Sequence, residues 1–291
     1  MLLGGRFKWL FHEVSSLANI FDAWNEFKMG KRKKADVAEF ELHLEENLFD
    51  LYEKLRSKTY IHNLYEDFYV CDPKRRHIHK ASVRDRVMYQ ALFRVLYKVF
   101  DKYFVYDSYS SRNDKGTHKG VIRLHNAIRK ISKNWKKIAW TLKCDVRKFF
   151  DSIDHSILRN LIVLKVEDID TLWLVDLIFS SFEKEKGKGL PLGNVTSQLF
   201  ANIYLNELDQ FAKHVLKVRY YFRYCDDFVI VHDDRKVLED AVVKVKQFLE
   251  EKLLLELHPH KVEIRKCSQG IDFLGYVILP HAIVVRTKTK R

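Results

Sequence analysis

The stretch Tyr224-Cys225-Asp226-Asp227 places two adjacent carboxylates between two apolar runs, and it constrains the fold more than any other feature. Residues 219–223 and 228–231 are rich in aromatic and β-branched side chains, so the pattern predicts strand, tight turn, strand. Two neighbouring ionised aspartates repel each other, and a hard divalent cation such as Mg²⁺ removes that conflict. A polar turn without metal is the alternative that this stretch alone leaves open.

A third carboxylate follows another predicted strand. Residues 138–146 alternate apolar and polar side chains and place Asp145 at the strand end, 81 residues before Asp226. If these two strands are neighbours in one sheet, all three acids meet at its edge. The sequence therefore predicts a carboxylate cluster with the ligand chemistry of a metal site.

The charge balance favours a polyanionic partner. Among 291 residues, 52 Lys and Arg against 39 Asp and Glu give a formal charge of +13. Basic residues concentrate at 28–34, 74–86 and 286–291, although each cluster alone could be an ordinary solvated face. Nucleic acid is the partner that this charge predicts.

Four scattered cysteines contain no Cys-x-x-Cys pair, so they indicate neither a zinc site nor a disulfide framework. This suits a reducing cytosol, and we expect a cytoplasmic protein. Arg6 and Lys8 interrupt the partly apolar start, and no apolar run approaches the roughly 18 residues that cross a membrane. We expect no signal peptide and no transmembrane helix.

Hydrophobic periodicity predicts helices interleaved with antiparallel strands, which is an α+β arrangement and not a regular βαβ series. The predicted helices are 35–57, 87–99, 117–131, 155–166, 168–182, 199–215 and 237–249. The predicted strands are a basic hairpin within 60–80, then 138–146, the 219–231 hairpin, 253–257, 262–265 and 273–276.

Five elements in order over residues 60–280 resemble the fingers and palm of reverse transcriptases. They are the basic hairpin, Asp145-x-x-x-Phe149-Phe150-Asp151, Leu190-Pro191-x-Gly193-x-x-x-Ser197, Tyr224-x-Asp226-Asp227 and Phe273-Leu274-Gly275-Tyr276. Segments 106–109, 115–119 and 190–202 are similar to the reverse transcriptases of diversity-generating retroelements. Leu192 and Gln198 stand where most reverse transcriptases carry Gln and Pro, and this variant is typical of that subgroup.

The resemblance implies a right-hand polymerase fold whose antiparallel palm sheet is backed by helices. Because the chain continues only 15 residues past Tyr276, we expect the thumb to be absent or truncated. The implied segments are an N-terminal helical extension (1–59), fingers (60–137), a first palm segment (138–182), a connecting turn and helix (183–216), a second palm segment with the primer grip (217–280), and a basic tail (281–291).

The resemblance also assigns roles to individual residues. Asp145 and Asp226 would bind two Mg²⁺ ions, or Mn²⁺ in their place, with Asp227 in support and the Val146 carbonyl as a further ligand. Phe150 would be the sugar gate that selects dNTP over NTP. Core packing for Phe150, a surface position for Lys261 and structural roles for Arg84 and Arg86 are the alternatives. The other implied sites are nucleotide binding (Lys74, Arg76, Leu192, Gly193, Gln198, Lys261), the primer grip (Phe273, Leu274, Gly275, Tyr276) and nucleic-acid binding (Arg84, Arg86, Arg112, Lys115, His118, Lys119).

The implied function is RNA-directed DNA polymerase, making cDNA from a structured RNA template with dNTPs. Leu192 replaces a glutamine, and the lost polar hold on the nucleotide predicts errors, above all opposite template adenine. Implied partners are template RNA, the cDNA or primer, a small basic accessory protein forming a pentameric barrel, and a separate chain supplying the thumb. The alternatives are a retron-type or phage-defence reverse transcriptase and a non-catalytic nucleic-acid-binding subunit.

Overall fold

The structure, a computed structural model, describes residues 5–71 and 75–287. Its helices are α1 (Leu10–Val14), α2 (Leu17–Phe27), α3 (Ala35–Leu42), α4 (Leu44–Arg56), α5 (Val83–Phe100), α6 (Thr117–Ile131), α7 (Phe149–Ser152), α8 (His155–Val163), α9 (Ile169–Ser180), α10 (Val195–Gln210) and α11 (Arg235–Leu253). Its strands are β1 (Glu66–Cys71), β2 (Arg75–Lys80), β3 (Trp140–Asp145), β4 (Tyr220–Tyr224), β5 (Asp227–His232), β6 (Glu263–Lys266), β7 (Ile271–Phe273), β8 (Tyr276–Ile278) and β9 (Ile283–Val285).

The chain forms two compact units, and the first comprises residues 1–102 and 153–203. Its centre is α5, whose apolar face is buried and packs against α2. Ser82 caps α5 by accepting a hydrogen bond from the Asp85 N–H at 3.2 Å. Buried Asp85 in turn accepts bonds from Tyr60 and from the Asn63 N–H, which ties the segment before β1 to the helix. Strands β1 and β2 form a separate two-stranded antiparallel ribbon in this unit.

The second unit comprises residues 103–152 and 204–291 and contains two antiparallel sheets. The larger sheet has the strand order β4-β5-β3-β6, and the smaller one has the order β7-β8-β9. Helix α6 places Leu124 and Ile128 in a core that also contains Phe222, Val229 and Phe273. This buried layer packs against β4 and β5, the two strands that flank the Asp226-Asp227 turn.

The predicted fold class is confirmed, since helices pack with antiparallel sheets throughout the described residues. The basic hairpin, the 138–146 strand and the strand–turn–strand around Asp226 all form. The division into six functional segments stays a prediction. Within residues 5–71 and 75–287, no helix combines the length and apolar character that a membrane span requires.

Three sequence predictions need correction. The helix expected over 35–57 is two helices, because the backbone of His43 leaves the helical region and Asn47 donates to the Phe40 carbonyl at 3.0 Å. No strand spans 253–257, since α11 continues to Leu253 and only an isolated bridge at Leu257 follows. The strand expected at 273–276 is the turn of the β7–β8 hairpin.

Candidate active site

The turn Cys225-Asp226 joins the outer strand β4 to the central strand β5 of the larger sheet. Tyr224 pairs with Asp227 across the hairpin, so the turn has two residues. Cys225 adopts a positive φ of 55°, which a two-residue hairpin turn requires and which residues other than glycine rarely adopt. The aromatic and β-branched flanks are buried, and this burial holds the turn in place.

Asp145 lies beside this turn because β3 is the other neighbour of β5. The antiparallel register places Asp145 opposite Asp227, and the Val146 N–H donates to the Asp226 carbonyl at 3.2 Å. The His258 N–H donates to the Asp145 carbonyl at 2.8 Å from the other side. The predicted neighbour relation of the two strands is therefore confirmed, and three aspartates come together at one edge of the sheet.

Burial and mutual repulsion make the Asp226 and Asp227 carboxyl groups hard to ionise. Burial raises the pKa of Asp226, and the nearby charge of Asp145 raises it further. Burial raises the pKa of Asp227 to about 6, although Lys143 opposes the increase. The Lys143 ammonium lies 3.4 Å from Asp227 Oδ2, while buried Asp227 Oδ1 has no hydrogen-bond partner.

Lys261 forms the closest charged contact of Asp145, with Nζ 2.8 Å from Oδ2. Its side chain is 41% exposed and that of Asp145 is 18% exposed, so the pair faces solvent at the sheet edge. This contact favours a role at the site over an isolated surface lysine. Lys143 was not among the predicted site residues. The alternation of the strand could have indicated it, because residues 143 and 145 lie on the same face, opposite the apolar positions.

The donor set fits a hard divalent cation. All candidate ligands are oxygens, the carboxylates repel one another, and a buried carboxylate oxygen lacks a partner. The ligand oxygens of Asp145, Asp226 and Asp227 are not all within 4.8 Å of one another in the described structure. A cation held here would therefore use two of these carboxylates at a time or draw them together.

A buried ion pair contacts the backbone of the turn and stabilises it. Arg223 donates to both carboxylate oxygens of Asp209 at 2.7 Å, and both side chains are 0% exposed. Tyr221 donates to the same carboxylate at 2.7 Å, and Arg223 Nη1 donates to the Cys225 carbonyl at 3.0 Å. The pair thereby connects α10 to the turn, and no sequence signal predicted it.

Phe150 lies in α7, and this helix begins directly after Lys148, whose backbone is left-handed. Its ring meets that of Phe149 edge to face, with centroids 5.4 Å apart. Phe149 is buried and Phe150 is only half-buried. Phe149 therefore serves the core, and this leaves part of the Phe150 ring accessible.

The β7–β8 turn contains the residues predicted as primer grip. Leu274 and Gly275 both have positive φ, which is typical of a type I′ hairpin turn, and Phe273 is buried. His118 bonds the Tyr276 hydroxyl at 2.8 Å, so one predicted nucleic-acid residue contacts this turn. Gly275 was the signal that could have predicted a turn here, because glycine adopts positive φ without steric cost.

The other basic residues predicted to bind nucleic acid in this unit hold the 106–116 loop. Arg112 donates to the carbonyls of Val105 and Ser108, and Lys119 donates to that of Asp114. Lys115 donates to the Tyr106 carbonyl and lies 3.4 Å from the centre of its ring. These contacts leave the nucleic-acid role of the three residues a prediction.

The remaining predicted residues that the structure describes lie in the first unit. Arg84 donates to the Ile61 carbonyl and to Asn63, and Arg86 pairs with Asp36, which favours the structural alternative for both arginines. Lys74 lies outside the described residues, and for Arg76 the structure describes only the backbone in β2.

Leu192 lines a cavity of about 250 Å³, together with residues that include Phe68, Ile78 and Gly193. Gly193 has a φ of 101°, so a side chain there would strain the backbone. Gln198 is exposed on α10. Leu192 and Gly193 therefore line an accessible cavity within the first unit, and Gln198 does not line it.

Comparison with known proteins extends over most of the chain. Residues 72–278 match the family model described as reverse transcriptase (RNA-dependent DNA polymerase). The chain is similar to the group II intron-encoded protein LtrA of Lactococcus lactis subsp. cremoris, with 24% identity over 305 residues, covering 80% of this chain and 50% of that protein. It is also similar to Protein YkfC of Escherichia coli (strain K12), with 22% identity over 244 residues, covering 71% and 64%. The chain thus spans about half the length of the first of these relatives.

Proposed function

We propose a catalytic function from one premise: the chain belongs to the reverse transcriptase (RNA-dependent DNA polymerase) family. The function that the geometry supports best is RNA-directed DNA polymerase. One observation carries it, the β3–β5 register that brings Asp145 beside the Asp226-Asp227 turn. That edge of the sheet offers the oxygen donors that nucleotidyl transfer requires.

In this reaction the 3′-hydroxyl oxygen of a primer forms a bond to the α-phosphorus of a dNTP, and pyrophosphate leaves. Asp145 and Asp226 would hold two divalent metal ions, with Mg²⁺ expected, while Asp227 and the Val146 carbonyl contribute. When bound, these ions lower the pKa of the attacking hydroxyl and neutralise the leaving pyrophosphate. Lys261 orients the Asp145 carboxylate, and the buried Arg223–Asp209 pair keeps the turn rigid.

The direct test is metal-dependent primer extension on an RNA template by the purified chain and its Asp226→Ala variant. We expect the variant to lose at least about a thousandfold in rate, because the metal ions supply much of the charge stabilisation. Asp233→Ala is the matched control, since this aspartate follows the other end of β5 and is 68% exposed. Equal incorporation by the wild type and the Asp226 variant would exclude the polymerase and support the non-catalytic alternative.

Discrimination between dNTP and NTP is proposed to depend on Phe150. Its partly accessible ring would occupy the space of a 2′-hydroxyl. Phe150→Ala should raise NTP incorporation relative to dNTP, while Phe149→Leu, which alters the buried neighbour, should leave that ratio unchanged. The triphosphate contacts of Lys74 and Arg76 are proposed from the family resemblance alone.

The proposed subtype is the reverse transcriptase of a diversity-generating retroelement, which rests on Leu192, Gln198 and the flanking segments. Partners would be a structured template RNA and a small basic accessory protein that forms a pentamer. Leu192→Gln should reduce misincorporation opposite template adenine in sequenced products. An unchanged error spectrum would reject this role of Leu192 without affecting the polymerase proposal, and a retron-type or phage-defence enzyme is then the alternative.

A further inference from the structure

The β1–β2 ribbon carries a cluster of three potential metal ligands, Asp67, His77 and His79. Asp67 pairs directly with His79 across the ribbon, and His77 lies two residues before His79, so all three side chains share one face. One ligand atom from each residue lies within 4.8 Å of the other two. Across residues 5–71 and 75–287, this is the one trio of His, Cys, Asp or Glu that meets this criterion.

The cluster is ordered by aromatic neighbours. Asp67 Oδ2 lies 3.6 Å from His77 Nε2, and Asp67 Oδ1 lies 2.5 Å from His79 Nδ1. Tyr69 stacks on the His77 ring with centroids 4.6 Å apart and planes at 13°, and Phe182 packs on His79 at 4.6 Å. The histidine side chains are 30% and 14% exposed, whereas Asp67 is 52% exposed, so solvent reaches the cluster on the carboxylate side.

We propose that Asp67, His77 and His79 bind one divalent transition-metal ion, with Zn²⁺ as the reference ion. Two imidazole nitrogens and a carboxylate oxygen suit Zn²⁺, whereas Mg²⁺ prefers oxygen ligands alone. Bonds of about 2.0–2.2 Å place tetrahedral ligand atoms about 3.3–3.6 Å apart. The 3.6 Å separation of His77 Nε2 from Asp67 Oδ2 fits this range, and His79, which now contacts the other carboxylate oxygen, would turn toward the same ion. Water would complete the coordination.

The ribbon has a physical use for such a cross-strand ligand. Every residue of β1 is exposed, and β1 pairs only with β2 among the described strands. An isolated two-stranded hairpin is marginally stable in water, so a metal ion bound across both strands would stabilise their register. This site shares no residue with the aspartates at the end of β3 and β5, and it stands whether or not the chain is a polymerase.

The same contacts could persist without metal as a hydrogen bond and an ion pair to Asp67. Metal titration of the chelator-treated full chain separates the two possibilities. We expect one Zn²⁺ per chain to bind at pH 7.5 by titration calorimetry, and one Co²⁺ to give the intense visible absorption of a tetrahedral site. His77→Ala, His79→Ala and Asp67→Asn should each weaken the affinity at least about tenfold.

Two controls separate this site from other histidines and from the aspartate turn. His43→Gln removes a 68% exposed histidine with a single acidic neighbour, Glu46 at 3.5 Å, and should leave Zn²⁺ affinity unchanged. Asp226→Ala should leave it unchanged as well. As a second readout, Zn²⁺ should slow amide hydrogen exchange in the strands of the ribbon in the wild type but not in His79→Ala. Wild-type affinity in all three ligand variants, or no stoichiometric Zn²⁺ in the wild type, would overturn the site.

Discussion

The β4–β5 and β1–β2 hairpins differ in where their polar contacts lie. Strand β5 is sandwiched between β4 and β3, and its central residues are buried, whereas all six residues of β1 are exposed. The buried hairpin rests on the Arg223–Asp209 pair, in which both side chains are 0% exposed. The exposed hairpin has ion pairs such as Glu66–Lys80, at 72% and 30% exposure.

The two hairpins differ in the unfavourable charges and backbone conformations that their surroundings can hold in place. Two neighbouring carboxylates and a left-handed Cys225 cost free energy, and a rigid buried surrounding keeps them in place. The ion pairs of the exposed ribbon face solvent, and such screened surface pairs add little to its stability. Removing one buried charge should therefore matter far more than removing one exposed charge, and three predictions test this.

The largest expected effect follows Asp209→Ala. The substitution leaves the fully buried Arg223 guanidinium without its bidentate partner, and the expected loss of unfolding free energy is about 3–5 kcal/mol. Urea denaturation at pH 7.5 measures this change. The double variant Asp209→Leu/Arg223→Met should recover most of the loss, because apolar packing can replace a buried ion pair.

The matched control for Asp209 is Glu239→Ala, which removes the partner of Arg235 from an exposed pair on α11. Its expected change is within about 0.5 kcal/mol. A loss below about 1 kcal/mol for Asp209→Ala would break the comparison, since the buried hairpin would then not depend on its ion pair.

A smaller effect of opposite sign is expected for Asp227→Asn in the metal-free protein. Burial raises the pKa of Asp227 from 3.8 to about 6, so the folded state binds this proton more tightly than the unfolded state. The stability that Asp227 contributes is present below pH 3.8 and is lost as the pH rises through about 6. At pH 8 with chelator, the variant should therefore be more stable than the wild type by about 1–2 kcal/mol.

This gain should shrink as the pH falls from 8 toward 4, and thermal unfolding across that range measures it. Excess Mg²⁺ should stabilise the wild type more than the variant, because a ligand that binds only the folded state raises its stability. A gain that does not vary with pH would indicate that the raised pKa of Asp227 is not its cause.

Local patterns predicted the features of this site that depend on neighbouring residues in the chain. Alternation up to Asp145 and the apolar flanks of Asp226 each specify a strand end, and the structure pairs these two strands. The strand expected at 253–257 was wrong because a short apolar run has the same composition at the end of a helix as in a strand.

Local sequence patterns did not predict the contacts between residues from different secondary-structure elements. Asp209 comes directly after an apolar position of a predicted helix, and this alone does not predict that it is buried. It is nevertheless buried, because it pairs with Arg223 from a strand 14 residues later. The pairing of Asp67 with His79 likewise depends on the register of the ribbon, which the hairpin pattern leaves open. Burial and register are properties of the assembled sheet, so the polar partners could not be assigned from periodicity.

The smallest expected effect follows Glu66→Gln in the exposed ribbon. Lys80 Nζ lies 3.0 Å from Glu66 and 3.1 Å from Asp36, so the lysine keeps one carboxylate partner after the substitution. Screening by water and the second partner together limit the expected loss of unfolding free energy to below about 0.5 kcal/mol. Urea denaturation at low salt, where surface charge effects are largest, gives the strictest measurement. A loss above about 1 kcal/mol would mean that exposed ion pairs hold the ribbon, and the contrast with the buried hairpin would then be one of degree.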